Sequence, residues 1–364
     1  MAAKKIFIAA TQQNDGKTTV SLGLIYCLRK FFPRIGFIKP VGQRYLIEQG
    51  CQVDEDSLLI EQVYKMQGLL KDMSPVTVPR GFTEEYIKKP RRNPLIQQIK
   101  QSYRHIAQQS DLVVIEGTGH AGVGSVFDLS NAAVAKLLGA QVILISSGGV
   151  GKPIDEIMLN KALLDQAGVG IVGVILNKVL PEKYEKVSAL VRRGLARKKI
   201  TVLGVIPYEP VLSKPTIGQI QEELGAQIVY GGTYLDNYVE TVIIGAMEPH
   251  NALDYITDRS LIITPGDRED IILTAVTMHL IYRDNGPSIA GLILTGGIKP
   301  HPSVFNLLKC TDIPVLLVDD DTYNVTSKVH DVTVKMRPQD KTKTNMAIDL
   351  VNKYVNVRAV YKAL

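Results

Sequence analysis

Tryptophan is absent from this 364-residue chain, and only 7 phenylalanines stand beside abundant Ile, Val and Leu. Cores assembled without large aromatics are aliphatic, as in buried parallel sheets whose strands read as short Val/Ile/Leu runs. Cysteine is scarce as well: Cys27, Cys51 and Cys310 are odd in number, far apart and form no CxxC. Neither a disulfide framework nor a zinc site is indicated, and a reduced, cytoplasmic protein is expected. No apolar run approaches the roughly 18 consecutive residues that suggest a membrane span. The opening Met1-Ala2-Ala3-Lys4-Lys5 leads straight into a strand pattern, without the apolar stretch and cleavage site of a secretory leader.

What is present describes a globular chain. Hydrophobic residues make up 45% and charged residues 21%, enough for sizeable cores, and the length favours two domains. The net charge of +6 is modest. One basic cluster, Arg192, Arg193, Arg197, Lys198 and Lys199, falls at the end of a predicted helix, where cations offset the macrodipole and solvated surface is expected. The other, Lys88, Lys89, Arg91 and Arg92, lies in a Pro-bounded loop and is either surface or a contact for an anion. No aromatic residues interleave with these clusters, so nucleic acid is not an expected partner.

Short apolar runs alternate with helical patterns along the first 210 residues. Strands are predicted at Ile6–Ala10, Ile35–Lys39, Leu112–Ile115, Val142–Ser146, Ile171–Asn177 and Val202–Ile206. Helices are predicted at Thr18–Arg29, Asp56–Met66, Asn131–Leu138, Ile154–Gln166 and Lys183–Lys198. Such alternation implies an α/β fold with a parallel sheet covered by helices on both faces. The pattern loosens around Tyr208–Gly218, where Pro210 and Pro215 stand close together, and the domain boundary is placed there. A second, smaller α/β domain is expected over 216–364. Its strands are Gln227–Val229, Thr241–Ala246, Leu261–Thr264, Ala290–Leu294 and Val315–Val318. Its helices are Asn251–Thr257, Asp270–Tyr282, Pro302–Leu308 and Thr344–Tyr354.

The first strand ends in Ala10-Thr11-Gln12-Gln13-Asn14-Asp15-Gly16-Lys17-Thr18-Thr19 and a helix follows at once. Gly16 lets the backbone turn N–H groups toward an anion, and the helix N-terminus adds a positive dipole end. Lys17 reaches outer phosphates, and the Thr18 hydroxyl ligates magnesium in loops of this kind. The loop is one residue longer than GxxxxGK[ST] and has Thr11 where the shorter pattern has glycine. Thr11, Asn14, Asp15, Gly16, Lys17, Thr18 and Thr19 are therefore the expected nucleotide contacts.

Three further segments run in order with this loop: Phe37-Ile38-Lys39-Pro40-Val41-Gly42, Val113-Val114-Ile115-Glu116-Gly117-Thr118-Gly119, and Gly173-Val174-Ile175-Leu176-Asn177 followed by Gly204-Val205-Ile206-Pro207. Together, over residues 1–210, they resemble the dethiobiotin synthetase branch of P-loop enzymes, also seen at the N-terminus of long phosphotransacetylases. The resemblance implies ATP and Mg2+ as cofactors, with Lys39 facing phosphate or substrate, Asn177 at the adenine edge and Pro207 among the nucleotide contacts. Metal ligands would be Thr18, Glu116 and an acid opening the second helix, Asp56 in preference to Asp54. The plainer alternatives are a surface lysine for Lys39, a capping or surface acid for Glu116 and a turn-forming Asn177. His120, with no partner visible in sequence, reads as a surface or gate residue rather than an acid–base catalyst. From about Gly218 to Asp319 the chain resembles the DRTGG domain, through Gly245-Ala246-Met247, Gly266-Asp267-Arg268 with Asp270, and Leu294-Thr295-Gly296-Gly297. The Asp-Arg-Thr-Gly-Gly string itself is missing. A regulatory role with a second, unidentified small-molecule ligand is what this implies.

The favoured expectation is a Mg-ATP-binding, nucleotide-hydrolysing protein regulated through its second domain, with Lys17 and Lys39 as its catalytic cations. An ATP-dependent ligase acting through a phosphorylated carboxylate or carbamate is the first alternative. A non-catalytic nucleotide sensor regulating acetate and phosphate metabolism is the second. Phosphotransacetylase activity is not expected of this chain alone, since no stretch is left for an acetyl-transferring domain. Partition ATPases of the deviant type carry an early loop lysine, and here Thr11, Gln12 and Gln13 occupy that stretch. A homodimer is expected, because related folds build their sites between subunits.

Overall fold

The computed structural model describes residues 3–66, 69–282, 287–332, 334, 336–338 and 340–364. The chain divides into two compact units, Met1–Glu209 with Met336–Leu364, and Pro210–Lys335.

In the first unit six strands form one sheet: β1 (Lys4–Ala10), β2 (Ile35–Ile38), β3 (Leu112–Glu116), β4 (Gln141–Ser147), β5 (Ile171–Val179) and β6 (Val202–Pro207). Their spatial order is β6-β5-β4-β1-β3-β2, and every neighbouring pair is parallel. All of Leu112-Val113-Val114-Ile115-Glu116 is buried, so both faces of the sheet are covered and alternation is lost. The connecting helices are α1 (Lys17–Leu28), α2 (Glu55–Tyr64), α3 (Arg92–Gln108), α4 (Asn131–Leu138), α5 (Gly151–Ala167) and α6 (Tyr184–Ala196). From β1 the chain first builds β2 and β3 on one side, then β4, β5 and β6 on the other. The carboxyl end of β1 is thus the point where strand order reverses, which is where open α/β sheets bind ligands.

The second unit has a five-stranded sheet of β7 (Gln227–Tyr230), β8 (Thr241–Ile244), β9 (Ser260–Pro265), β10 (Ile289–Thr295) and β11 (Val315–Leu317), in the order β7-β11-β10-β9-β8. The four inner pairings are not uniform: β7 runs antiparallel to β11, the rest are parallel. Its longer helices are α7 (Ile217–Leu224), α8 (Glu269–Ile281), α9 (Pro302–Leu308) and α10 (Thr322–His330), and a four-residue helix, Pro249–Ala252, stands where sequence expected Asn251–Thr257. Apolar clusters lie on both faces of the sheet, one around Ile262, Leu292 and Leu294, the other around Leu261, Ile263 and Ile293.

The last two helices, α11 (Lys341–Tyr354) and α12 (Val357–Ala363), correct the expected domain division. They belong to the first unit, not to the second domain in which sequence placed Thr344–Tyr354. The reason is packing: a Cβ added to Gly23 of α1 would lie 2.3 Å from Val351 Cβ, so the two helices meet at van der Waals distance. Asn356 N donates to Leu203 O of β6 at 2.8 Å, and Tyr361 stacks on Phe31 with ring centroids 4.4 Å apart. The second domain is therefore an insertion within the first.

Sequence also missed α3, although Ile96, Ile99, Tyr103 and Ile106 recur at helical spacing. The hairpin Tyr45–Glu48 with Cys51–Asp54, the helix α7 and the helix α10 were likewise unexpected. Among the described residues no helix is long and apolar enough to cross a membrane.

Candidate functional site

The loop between β1 and α1 is held from three sides. Its own carboxylate, Asp15, accepts from Gln12 N at 2.8 Å and from Thr11 Oγ1 at 2.9 Å. The acid in the loop is thus turned onto the loop backbone and buried there. From β4 and α5, Ser146 Oγ lies 3.0 Å and Glu156 Oε2 3.3 Å from the Thr11 hydroxyl, and Gln12 Nε2 donates to Glu156 Oε1 at 2.7 Å. Thr11, the departure from the glycine pattern, is therefore the hub of a buried polar network.

From β5, Asn177 Nδ2 donates to Asp15 O at 2.9 Å while its Oδ1 accepts from Lys178 N. Lys178 Nζ donates to Asn14 O at 2.8 Å. Asn14 and Lys178 both take left-handed backbone, with φ of 63° and 58°. Such conformations in non-glycine residues persist only where the surroundings impose them. Asn177 was expected at an adenine edge; here it braces the underside of the loop. Pro207 ends β6 opposite Val179, two residues beyond Asn177 on the neighbouring strand.

Gly16 has φ of +91°, and a Cβ there would lie 2.1 Å from Asn177 Nδ2, so both conformation and space require glycine. Gly16 is also the N-cap of α1, with no side chain capping the helix and no acid in its first turn. The first-turn N–H groups and the positive dipole end are thereby left for an anion. Burial depresses the Lys17 ammonium below the usual lysine range, against the raising influence of Glu116. Among the described residues Lys17 has no hydrogen bond or ion pair. Asn14 is exposed and Thr19 buried within α1.

Lys39 has a different fate. It is 6% exposed and sits among three carboxylates: Asp54 Oδ1 at 3.0 Å, Glu116 Oε1 at 3.8 Å, and Asp56 Oδ2 in direct contact. Burial pulls its pKa down, but Asp56, Asp54 and Glu116 together outweigh that and hold it above the ordinary lysine value. Asp54 caps α2 by accepting from Asp56 N at 3.0 Å, and Ser74 Oγ accepts from Asp54 N at 2.9 Å. The two acids differ in their other partners: Asp54 serves the helix and the lysine, whereas Asp56 meets the lysine with one oxygen and Thr18 with the other.

Thr18 Oγ1 lies 3.1 Å from Asp56 Oδ1 and 3.4 Å from Glu116 Oε1. Ser21 Oγ donates to Glu116 Oε2 at 2.6 Å. Glu116 is fully buried at the end of β3; burial first, then the Asp56 charge, push its pKa up to about 7. Among the described residues no group of three or more His, Cys, Asp or Glu is disposed as a metal cage. Three hard oxygens from α1, α2 and β3 do converge, however. That donor set fits magnesium, which takes one or two carboxylates and completes its shell with phosphates and water.

The folded chain therefore gathers Thr18, Lys39, Asp56 and Glu116 beside the loop carrying Lys17. His120 is exposed and accepts from Gly122 N at 3.2 Å in its own turn. Sequence reasoning missed Ser21, Glu156 and Lys178. Ser21 was within reach, because it lies three residues after Thr18 on one helix face. Glu156 lies in α5, more than 140 residues from the loop in sequence, and carries no local signal.

A profile of AAA_26, described as an AAA domain, matches residues 4–216. The chain belongs to the AAA_26 family. A DRTGG domain matches residues 219–332, downstream of the AAA_26 domain and short of α11. Phosphate acetyltransferase of Nitratidesulfovibrio vulgaris is 29% identical over 97% of this chain and 51% of its own length. Phosphate acetyltransferase of Synechocystis sp. is 28% identical over 96% of this chain and 50% of its own. The chain spans about half the length of these curated relatives. Among solved structures, the MinC:MinD cell division protein complex of Aquifex aeolicus aligns with 58% of this chain and 84% of its own at TM-score 0.36 and 19% identity. At that distance it adds nothing to the P-loop-type sheet described above.

Proposed function

We propose that the AAA_26 domain binds ATP with Mg2+ and hydrolyses it, and that the DRTGG domain regulates this site through a second small-molecule ligand. The observation that carries the reading is the pairing of a bare α1 N-terminus with an unpartnered Lys17 ammonium, next to a three-oxygen cluster of Thr18, Asp56 and Glu116. Anionic oxygens of a triphosphate would satisfy the first, and a divalent ion held by Thr18, Asp56 and Glu116 would satisfy the second. Bound magnesium would supply charge neutralisation at the phosphates. The protein's own part is positioning: the braced loop fixes the N–H groups, Lys17 meets the outer phosphates, and Glu116 orients through Ser21.

Thermal unfolding with ATP, GTP or AMP, each with and without magnesium, tests the reading. A ligand at about a hundred times its dissociation constant stabilises by roughly 2.7 kcal/mol. ATP with magnesium should raise the melting temperature of the natural protein and leave Lys17→Ala unmoved. A shift that survives Lys17→Ala overturns the assignment, and phosphate release measured alongside separates hydrolysis from binding alone.

The alignment with phosphate acetyltransferases over half their length favours one second reading. In it the chain is a nucleotide sensor acting on acetate and phosphate metabolism, without turnover of its own. Tight ATP binding with no phosphate release would select it. The three free thiols Cys27, Cys51 and Cys310 support a reduced, cytoplasmic setting. A homodimer completes the proposal, tested by light scattering.

A further inference from the structure

Lys39 is tied to the oxygens that would hold the metal. Its ammonium touches Asp56 Oδ2, lies 3.0 Å from Asp54 Oδ1 and 3.8 Å from Glu116 Oε1. Glu116 Oε1 is also the oxygen 3.4 Å from the Thr18 hydroxyl, and the other oxygen of Asp56 is the one 3.1 Å from it. An ammonium and a divalent ion cannot share these carboxylates at full strength. Each is a cation whose gain comes from the same buried negative charge, and burial makes that competition strong.

We infer that Lys39 is a built-in counter-cation of the magnesium site, which the metal must displace and which makes metal loading depend on nucleotide. This rests on the Mg-ATP reading above. Three neighbouring features support it. Lys39 is anchored at the end of β2, where Pro40 holds its backbone extended and its N–H donates to Met73 O at 2.8 Å. Asp54 is fixed independently of any metal, by its cap on α2 and by Ser74, so the ammonium keeps one carboxylate when Asp56 and Glu116 turn to the metal. Lys17, in contrast, has no carboxylate to leave. The two lysines thus divide the work: Lys17 waits for phosphate, and Lys39 neutralises the acid cluster until a metal–phosphate pair offers it a replacement.

The metal alone should consequently bind poorly to the natural protein, and metal with ATP well. Titration with MgCl2 in the absence of nucleotide, read by thermal unfolding and calorimetry, is compared for the natural protein, Lys39→Met and Asp54→Asn. Lys39→Met is expected to melt lower in EDTA and to recover with Mg2+ alone, with affinity for the free metal raised at least about tenfold. Asp54→Asn, which loosens the ammonium without touching an oxygen near Thr18, should move in the same direction by less, and it serves should Lys39→Met fail to fold. Equal response of all three to Mg2+ alone, with Mg-ATP still binding, overturns the counter-cation role and leaves the nucleotide reading intact. Failure of the natural protein to bind Mg-ATP at all overturns both.

Discussion

At the residue scale, the site is made by side chains whose surroundings contradict their ordinary preferences, and each contradiction predicts a measurable effect. Gly16→Ala places a Cβ in left-handed backbone and within 2.1 Å of Asn177 Nδ2. A destabilisation of at least about 1–2 kcal/mol is expected from the backbone alone. Urea unfolding should show it, together with lost ATP binding, because the loop N–H groups move. Asp15→Asn keeps an acceptor oxygen for Gln12 N and Thr11 Oγ1, so nucleotide affinity should change little. A large loss would mean that the charge itself shapes the loop. Glu116 predicts a pH dependence. Its folded pKa of about 7 exceeds the ordinary 4.5, so the folded state holds the proton more tightly. In metal-free buffer its contribution to stability is complete below pH 4.5 and is lost as pH rises through about 7, at no more than about 1.4 kcal/mol per unit. Glu116→Gln should flatten the profile in that window; an unchanged slope there would refute the assignment. Much at this scale was legible in sequence, since Gly16, Lys17, Thr18, Lys39 and Glu116 all stand at strand ends or on the first turn of a helix. The capture of Lys39 by Asp54 and Asp56 was not, because it joins separate elements through space.

At the element scale, sequence runs identified all eleven strands of the two large sheets, because each buried strand carries its own apolar run. The elements that escaped were those whose signal is weaker or whose place depends on a partner. Helix α3 shows an apolar stripe over only one face, amid a polar and basic stretch whose opening Arg91 and Arg92 read as a Pro-bounded loop. Helix α11 was seen but assigned to the wrong domain, since nothing in residues 341–354 says that their partner is a glycine in α1. That contact is testable by a double-mutant cycle. Gly23→Ala improves helix propensity by about 1 kcal/mol, yet it drives a methyl into Val351, and a net loss of roughly 1–3 kcal/mol is expected. Val351→Gly alone removes the whole side chain, opening a cavity and lowering helix propensity, at a cost of roughly 3 kcal/mol. The pair should lose markedly less than the sum, because the alanine at 23 fills what the glycine at 351 vacates. Additive losses would show that the helices do not press on each other there.

At the scale of the whole molecule, the insertion governs which pieces stand alone. A fragment of residues 210–335 holds two apolar clusters of its own and should melt cooperatively by circular dichroism. A fragment of residues 1–209 lacks α11 and α12 and leaves Gly23, Cys27 and Phe31 without their cover. It should be poorly soluble, and adding residues 336–364 as a separate peptide should restore stability. Equal stability of the 1–209 fragment with and without that peptide would contradict the division into units.

Nesting one unit within another also sets a timetable for synthesis. Helix α1 leaves the ribosome with the phosphate loop already attached to it, but its partner α11 is encoded over three hundred residues later. At ordinary translation rates that interval is on the order of tens of seconds, during which the inserted unit can finish folding first. A nascent chain therefore gains the final cover of α1 only after ribosomes have read through the inserted unit, so that translation products broken off midway carry the nucleotide motif on a helix still missing that cover.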